Sequence, residues 1–103
     1  MRGPAKKQSG AITRTADEDA LYSAFAALKS PSEAARFLKD LATPAEIEAF
    51  SERWRIARML HQGASSYREI AAETGASTTT IGRVARFLRD GPHQGYRLLL
   101  DRL

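Results

Sequence analysis

Ser77-Thr78-Thr79-Thr80 leads into Arg83, Arg86 and Arg89, and residues 78–89 contain no acid. These residue types suit recognition of a polyanion. Threonine is short, so a backbone carrying it can approach a nucleic-acid groove closely; its hydroxyl bonds phosphates or base edges, and its methyl meets thymine. Arginine reaches further, with a planar fork that matches guanine edges and phosphates. Tyr67 and Arg68, just upstream, add a phenol and a second fork. A threonine run is unfavourable inside a helix, because branching at Cβ restricts the side chain. Propensity therefore does not account for it, and a plain helical hairpin with idle surface threonines is the weaker reading. Bond-making chemistry finds no such support. There is no cysteine, and the only histidines, His61 and His93, stand at no ligand or nucleophile spacing with carboxylates. The expectation is no enzyme, no metal and no cofactor.

The residues around this stretch supply its scaffold. Ser66 and Glu69 form a capping box that opens a short helix over 67–73. Gly75 falls where a sharp turn needs positive φ, and Ser77 can cap the next helix. Ile70, Ala71, Ile81, Val84 and Leu88 are spaced to pack the two helices together. A short helix, a glycine turn and a second helix with small polar and basic residues outside make a helix-turn-helix over 66–89. The unpaired amides and positive dipole end of its second helix suit phosphate. Arg86 and Arg89, further along, meet backbone phosphate or water.

The rest of the chain reads as helix, so the predicted fold is all-α. The 103 residues are 43% hydrophobic and 27% charged, an ordinary globular composition for one domain. A net charge of +4 and a pI near 9.9 are compatible with a polyanionic partner. Residues 1–16 carry Arg2, Lys6, Lys7 and Arg14 without an acid and little apolar surface, which predicts a flexible basic arm. From Asp17 a helix carries Leu21, Tyr22, Phe25 and Leu28 at helical spacing. Ser30-Pro31-Ser32-Glu33 restarts the chain, and Thr43-Pro44-Ala45-Glu46 repeats that device for a long helix to about Gln62, ended by Gly63. The long helix shows Ile47, Phe50, Trp54 and Ala57 on one stripe and Ile56, Met59 and Leu60 on a neighbouring arc. That surface is wider than one packing partner needs, which predicts burial against a second copy. Asp90-Gly91-Pro92 then breaks the helix before a last helix over 96–103. No apolar run reaches the roughly 20 residues of a membrane span, and the expected compartment is the cytoplasm.

From residue 41 to 88 the sequence resembles the Trp repressor family. The matching pieces are Leu41-Ala42-Thr43-Pro44-Ala45-Glu46, Arg53-Trp54-Arg55-Ile56, Tyr67-Arg68-Glu69 and the run from Thr74 to Arg83. The Gly75–Thr78 turn, the Arg83-Val84-Ala85-Arg86 segment and the tail Gly95-Tyr96 resemble the related group named for YerC and YecD. The resemblance implies an intertwined homodimer of short helices presenting one helix-turn-helix per subunit to successive major grooves. It also implies DNA contacts near Tyr67 and Arg68 on the first helix and at Thr78, Thr79 and Thr80 on the second, to which the residue types themselves add Ser77, Arg83 and Arg86. Ala71 stands where Trp repressor has a lysine that approaches DNA.

In Trp repressor the corepressor lies between two arginines, matched by Arg53 and Arg83, with help from a position matched by Thr43. The glycine and serine that admit the indole are replaced by Val84 and Phe87. A valine intrudes into the slot, since overpacking a filled site costs about 1–3 kcal/mol, and Phe87 could occupy the indole's volume. Tryptophan is therefore not expected to bind, and any other effector is unknown. Arg53 and Arg83 have two uses open: ion pairs, for instance with Glu46 or Glu69, or a small anion. The expected function is a bacterial, homodimeric, sequence-specific repressor of transcription on double-stranded DNA. The alternatives are a helical protein-interaction module, or a small-anion-sensing dimer with weak DNA affinity.

Overall fold

The structure is a computed structural model that describes residues 14–63 and 66–103. Most of the expected basic arm, including Arg2, Lys6 and Lys7, lies outside the described residues, as does Ser65. The described residues form six helices and no strand: α1 (Ala16–Ala27), α2 (Pro31–Leu41), α3 (Pro44–Gln62), α4 (Tyr67–Thr74), α5 (Thr78–Asp90) and α6 (Gly95–Arg102). The chain divides into two compact units, Met1–Leu41 and Ala42–Leu103. The expected domain over 17–103 spans both.

Within the first unit the last residues of the expected arm are tied down. Thr15 caps α1 in a capping box with Glu18, and Arg14 pairs with Asp19 at 2.8 Å. The helix thus starts at Ala16, one residue before Asp17. At α2 the Ser30 hydroxyl accepts from the Glu33 N–H at 3.1 Å, as expected. The Glu33 carboxylate, however, accepts from the Lys29 N–H at 2.9 Å rather than closing a box on Ser30. Phe25 and Phe37 meet edge to face with centroids 5.4 Å apart. No residue of α1 or α2 is buried in this chain.

The second unit has the core. Ile56 and Ala57 of α3, Ile70 of α4, Ala76 of the turn, and Ile81 and Val84 of α5 form one buried cluster. Ile56, Ile70 and Ile81 are fully buried and Val84 is 1% exposed. Trp54, Met59, Leu60, Ala71, Tyr96 and Leu100 pack around it. Trp54 stacks on Tyr96 of α6, centroids 6.4 Å apart and planes at 24°. Phe50, placed by its spacing on the same stripe as Trp54, is instead 44% exposed. The apolar stripe of α3 therefore extends beyond what the second unit covers.

Local chemistry sets the turns. Capping boxes start α3, from Thr43 and Glu46, and α4, from Ser66 and Glu69. Gly63 and Gly75 close those helices at φ 71° and 81°, a region that a Cβ disfavours. The turn after α4 is pinned further by Thr74. Its hydroxyl donates to the Ile70 carbonyl at 2.8 Å and accepts from the Ala76 N–H at 3.1 Å. A Cβ at either Gly75 or Gly82 would meet nothing within 4 Å, so alanine at these positions isolates the backbone effect. Gly75→Ala should destabilise by about 1–2 kcal/mol through its left-handed φ. Gly82→Ala, inside α5, should stabilise by about 0.5–1 kcal/mol. Urea unfolding of the two variants checks both signs.

Candidate nucleic-acid interface

The helix-turn-helix is α4, its glycine turn and α5. Ile70 and Ile81 lock the two helices face to face, and Val84 and Leu88 extend the contact along the buried side of α5. The opposite side of α5 is polar, and α5 has no acid in its first turn.

The four hydroxyl residues at that end divide into two pairs. The Ser77 hydroxyl accepts from the Thr80 N–H at 3.1 Å and donates to the Thr80 hydroxyl at 3.1 Å. Thr80 is half-buried, so Ser77 and Thr80 spend their oxygens on capping the helix. Thr78 and Thr79 are exposed, and among the described residues their hydroxyls take no protein partner. Tyr67 and Arg68 open α4 in exposed positions. The capping box occupies the Ser66 and Glu69 amides, leaving the Tyr67 and Arg68 N–H groups unpaired at the positive end of the helix.

Arg83 and Arg86 both lean on Phe87, with guanidinium carbons 4.9 and 5.8 Å from its ring centre. Arg53 lies over Phe50 at 5.3 Å. Neither Arg53 nor Arg83 has a carboxylate within 4.0 Å among the described residues, so the pairings with Glu46 and Glu69 are not made. Glu46 and Glu69 are committed to capping instead. Stacking on a ring engages the face of a guanidinium and leaves its N–H edges for another partner.

Arg53 and Arg83 border a cleft of about 600 Å³, lined further by Val84, Phe87, Gly91, His93, Gln94, Gly95 and Tyr96. Four of the five expected pocket residues thus come together. Thr43 does not: it stays outside, capping α3 with its hydroxyl on the Glu46 N–H at 3.1 Å. Val84 belongs to the core, and the half-buried Phe87 forms a wall of the cleft without filling it. Gly91 is buried beneath; a Cβ there would fall 2.5 Å from the Phe87 carbonyl oxygen. His93, Gln94 and Tyr96 also line the cleft and were not expected there. They follow a helix break, where periodicity carries no signal. Gln94 takes φ 53° and donates to the Gly91 carbonyl at 2.7 Å, a conformation its residue type does not advertise.

Arg89, at the end of α5, pairs with Asp90 at 3.0 Å. The hydrogen bond and charge of Asp90, and to a smaller degree Tyr67, raise its pKa above the ordinary arginine value.

Comparison with known proteins follows the same lines. A family model described as Trp repressor protein matches residues 16–103. YerC of Bacillus subtilis (strain 168) is 44% identical over 85 residues, which cover 82% of this chain and 80% of that protein. The solved structure of a TrpR like protein from Eubacterium eligens superposes with a TM-score of 0.80 at 39% identity, over 86% of this chain and 90% of that one. A chain from Staphylococcus aureus gives 0.79 at 40% identity, over 86% and 87%.

The division of hydroxyl groups predicts separable effects. Ser77→Ala should lower stability by about 1 kcal/mol through the lost cap. Thr78→Ala and Thr79→Ala should leave stability unchanged or raise it by at most about 0.5 kcal/mol, as read by urea unfolding.

Proposed function

The chain belongs to the Trp repressor family, whose members are helix-turn-helix DNA-binding regulators, and from that premise we propose a homodimeric, sequence-specific repressor acting on double-stranded DNA in the bacterial cytoplasm. The observation that carries this reading is the exposed pair Thr78 and Thr79 at the start of α5, on a helix pinned from behind by Ile70 and Ile81. In this reading α5 enters the major groove, Thr78 and Thr79 touch base edges, and Arg68 reaches a guanine or a phosphate. Ser77 and Thr80 hold the helix end whose amides meet a phosphate, Tyr67 lies along the backbone, and Arg83 and Arg86 supply charge.

Dimerisation is supported by apolar surface that this chain leaves uncovered: Tyr22 is 49%, Phe25 38%, Leu41 50% and Phe50 44% exposed. A two-fold dimer would read half-sites about 34–36 Å apart, one helical turn or a multiple. The Phe87 ring beneath Arg83 supplies the aromatic contact that a bound indole would otherwise make, so DNA binding proceeds without tryptophan. Selection from a random duplex library, with and without tryptophan, tests this. The expected result is one palindromic motif in both tubes. Enrichment only with tryptophan would overturn the corepressor-free reading, and no enrichment in either would favour a protein-interaction module.

The cleft supports a second reading, in which a small anion tunes the same regulator. Arg53 and Arg83 border it with no carboxylate partner, and no acid lines it. Trp54 is the sole tryptophan, and it stacks on Tyr96, which lines the cleft. Titration of small carboxylates and phosphates should change Trp54 emission in the wild type and not in Arg53→Gln. An unchanged spectrum throughout, with no thermal stabilisation, removes this reading and leaves the first intact.

A further inference from the structure

A smaller cleft of about 290 Å³ opens beside the C-terminal half of α5, on residues other than those lining the first. Leu60, Ala85 and Leu88 give it an apolar floor, and Tyr67, Arg89 and Arg97 stand around it. No carboxylate lines it. Arg89 binds Asp90 through Nε at 3.0 Å, which leaves its two terminal nitrogens to a second partner. Arg97, on α6, donates one terminal nitrogen to the Leu88 carbonyl at 3.4 Å and makes no ion pair within 4.0 Å among the described residues. One phenol and two guanidiniums therefore converge on one cleft, and Asp90 offsets the charge of Arg89 alone.

We propose that this cleft seats one backbone phosphate of the bound duplex, gripped by Tyr67, Arg89 and Arg97. The inference rests on the duplex-binding reading above and extends the interface to α6, outside the helix-turn-helix. Position supports it. The first helix of such a motif crosses the sugar–phosphate backbone, and Tyr67 is the first residue of that helix. Arg89 lies on the last turn of α5, where a helix that starts in the groove passes back out toward the backbone. The carbonyls ending α5 repel an anion, and Arg97 offsets them by donating to one of these carbonyls while keeping its remaining N–H groups for the phosphate. A diester carried by an already docked duplex is delivered at high effective concentration, which a free anion is not. The occupant is therefore a DNA phosphate rather than a metabolite.

The test is the salt dependence of binding to a mixed-sequence duplex, measured for the wild type, Arg97→Gln and Arg97→Lys, with thermal unfolding of each. Each phosphate contact contributes about 0.9 to the log–log slope. Arg97→Gln should lower the slope by about 0.9 per engaged protomer, and Arg97→Lys should restore it. An unchanged slope in Arg97→Gln, with or without a lower melting temperature, would make Arg97 a cap for α5 alone and overturn the proposal. Stabilisation by inorganic phosphate through Arg97, with the duplex slope unchanged, would overturn it in favour of a free-anion site. A wild type that binds no duplex at any salt concentration would remove the DNA reading itself, an outcome distinct from a wild type that binds with a slope indifferent to Arg97.

Discussion

The contact of Ile56, Ile70, Ile81 and Val84 fixes everything that follows in the second unit. These four side chains come from three helices and are buried almost completely. Truncating one such side chain costs about 2–5 kcal/mol, much of the 5–15 kcal/mol that holds a small domain. No polar or charged residue is buried among the described residues, so no network of hydrogen bonds stands behind the packing to hold α5 if it loosens. The posture of α5, and hence the direction in which Thr78 and Thr79 point, is a consequence of apolar shape.

Around that core the polar groups are allotted without overlap. Ser66 with Glu69, Thr43 with Glu46, and Ser77 with Thr80 are consumed in starting helices. Arg53, Arg83 and Arg86, none of which pairs with an acid among the described residues, lie over rings, and Phe87 gathers two of them. Such contacts at exposed sites are worth about 0.5–1 kcal/mol each, enough to orient a guanidinium without removing it from solvent. The exposed Arg55–Glu73 pair, at 4.0 Å, contributes less to holding α3 against α4 than the isoleucines do.

Much of this was legible in the sequence because it is local. Capping boxes act over three residues, and Gly63 and Gly75 announce their turns within a single peptide, so the starts of α3, α4 and α5 and the helix-turn-helix fall where the residue types place them. The isoleucines were legible through their period. Other features depend on what distant residues do. Phe50 sits on an apolar stripe, yet the second unit leaves its position uncovered. Thr43 resembles a ligand contact, yet its oxygen is already spent on capping. His93, Gln94 and Tyr96 line the cleft because Gln94 adopts a left-handed conformation after the break, which no spacing rule foretells.

The split between Ser77 and Thr80, which hold the helix, and Thr78 and Thr79, which face outward, bears on how such a protein can diverge. The two inner positions of the hydroxyl run carry no structural duty in this chain. If Thr78 and Thr79 read the duplex as proposed, substitutions there would retarget the protein to a new sequence without first passing through a misfolded ancestor. On that reading stability and recognition fall on different residues of one helical turn, and a lineage could change what it reads while keeping what it is.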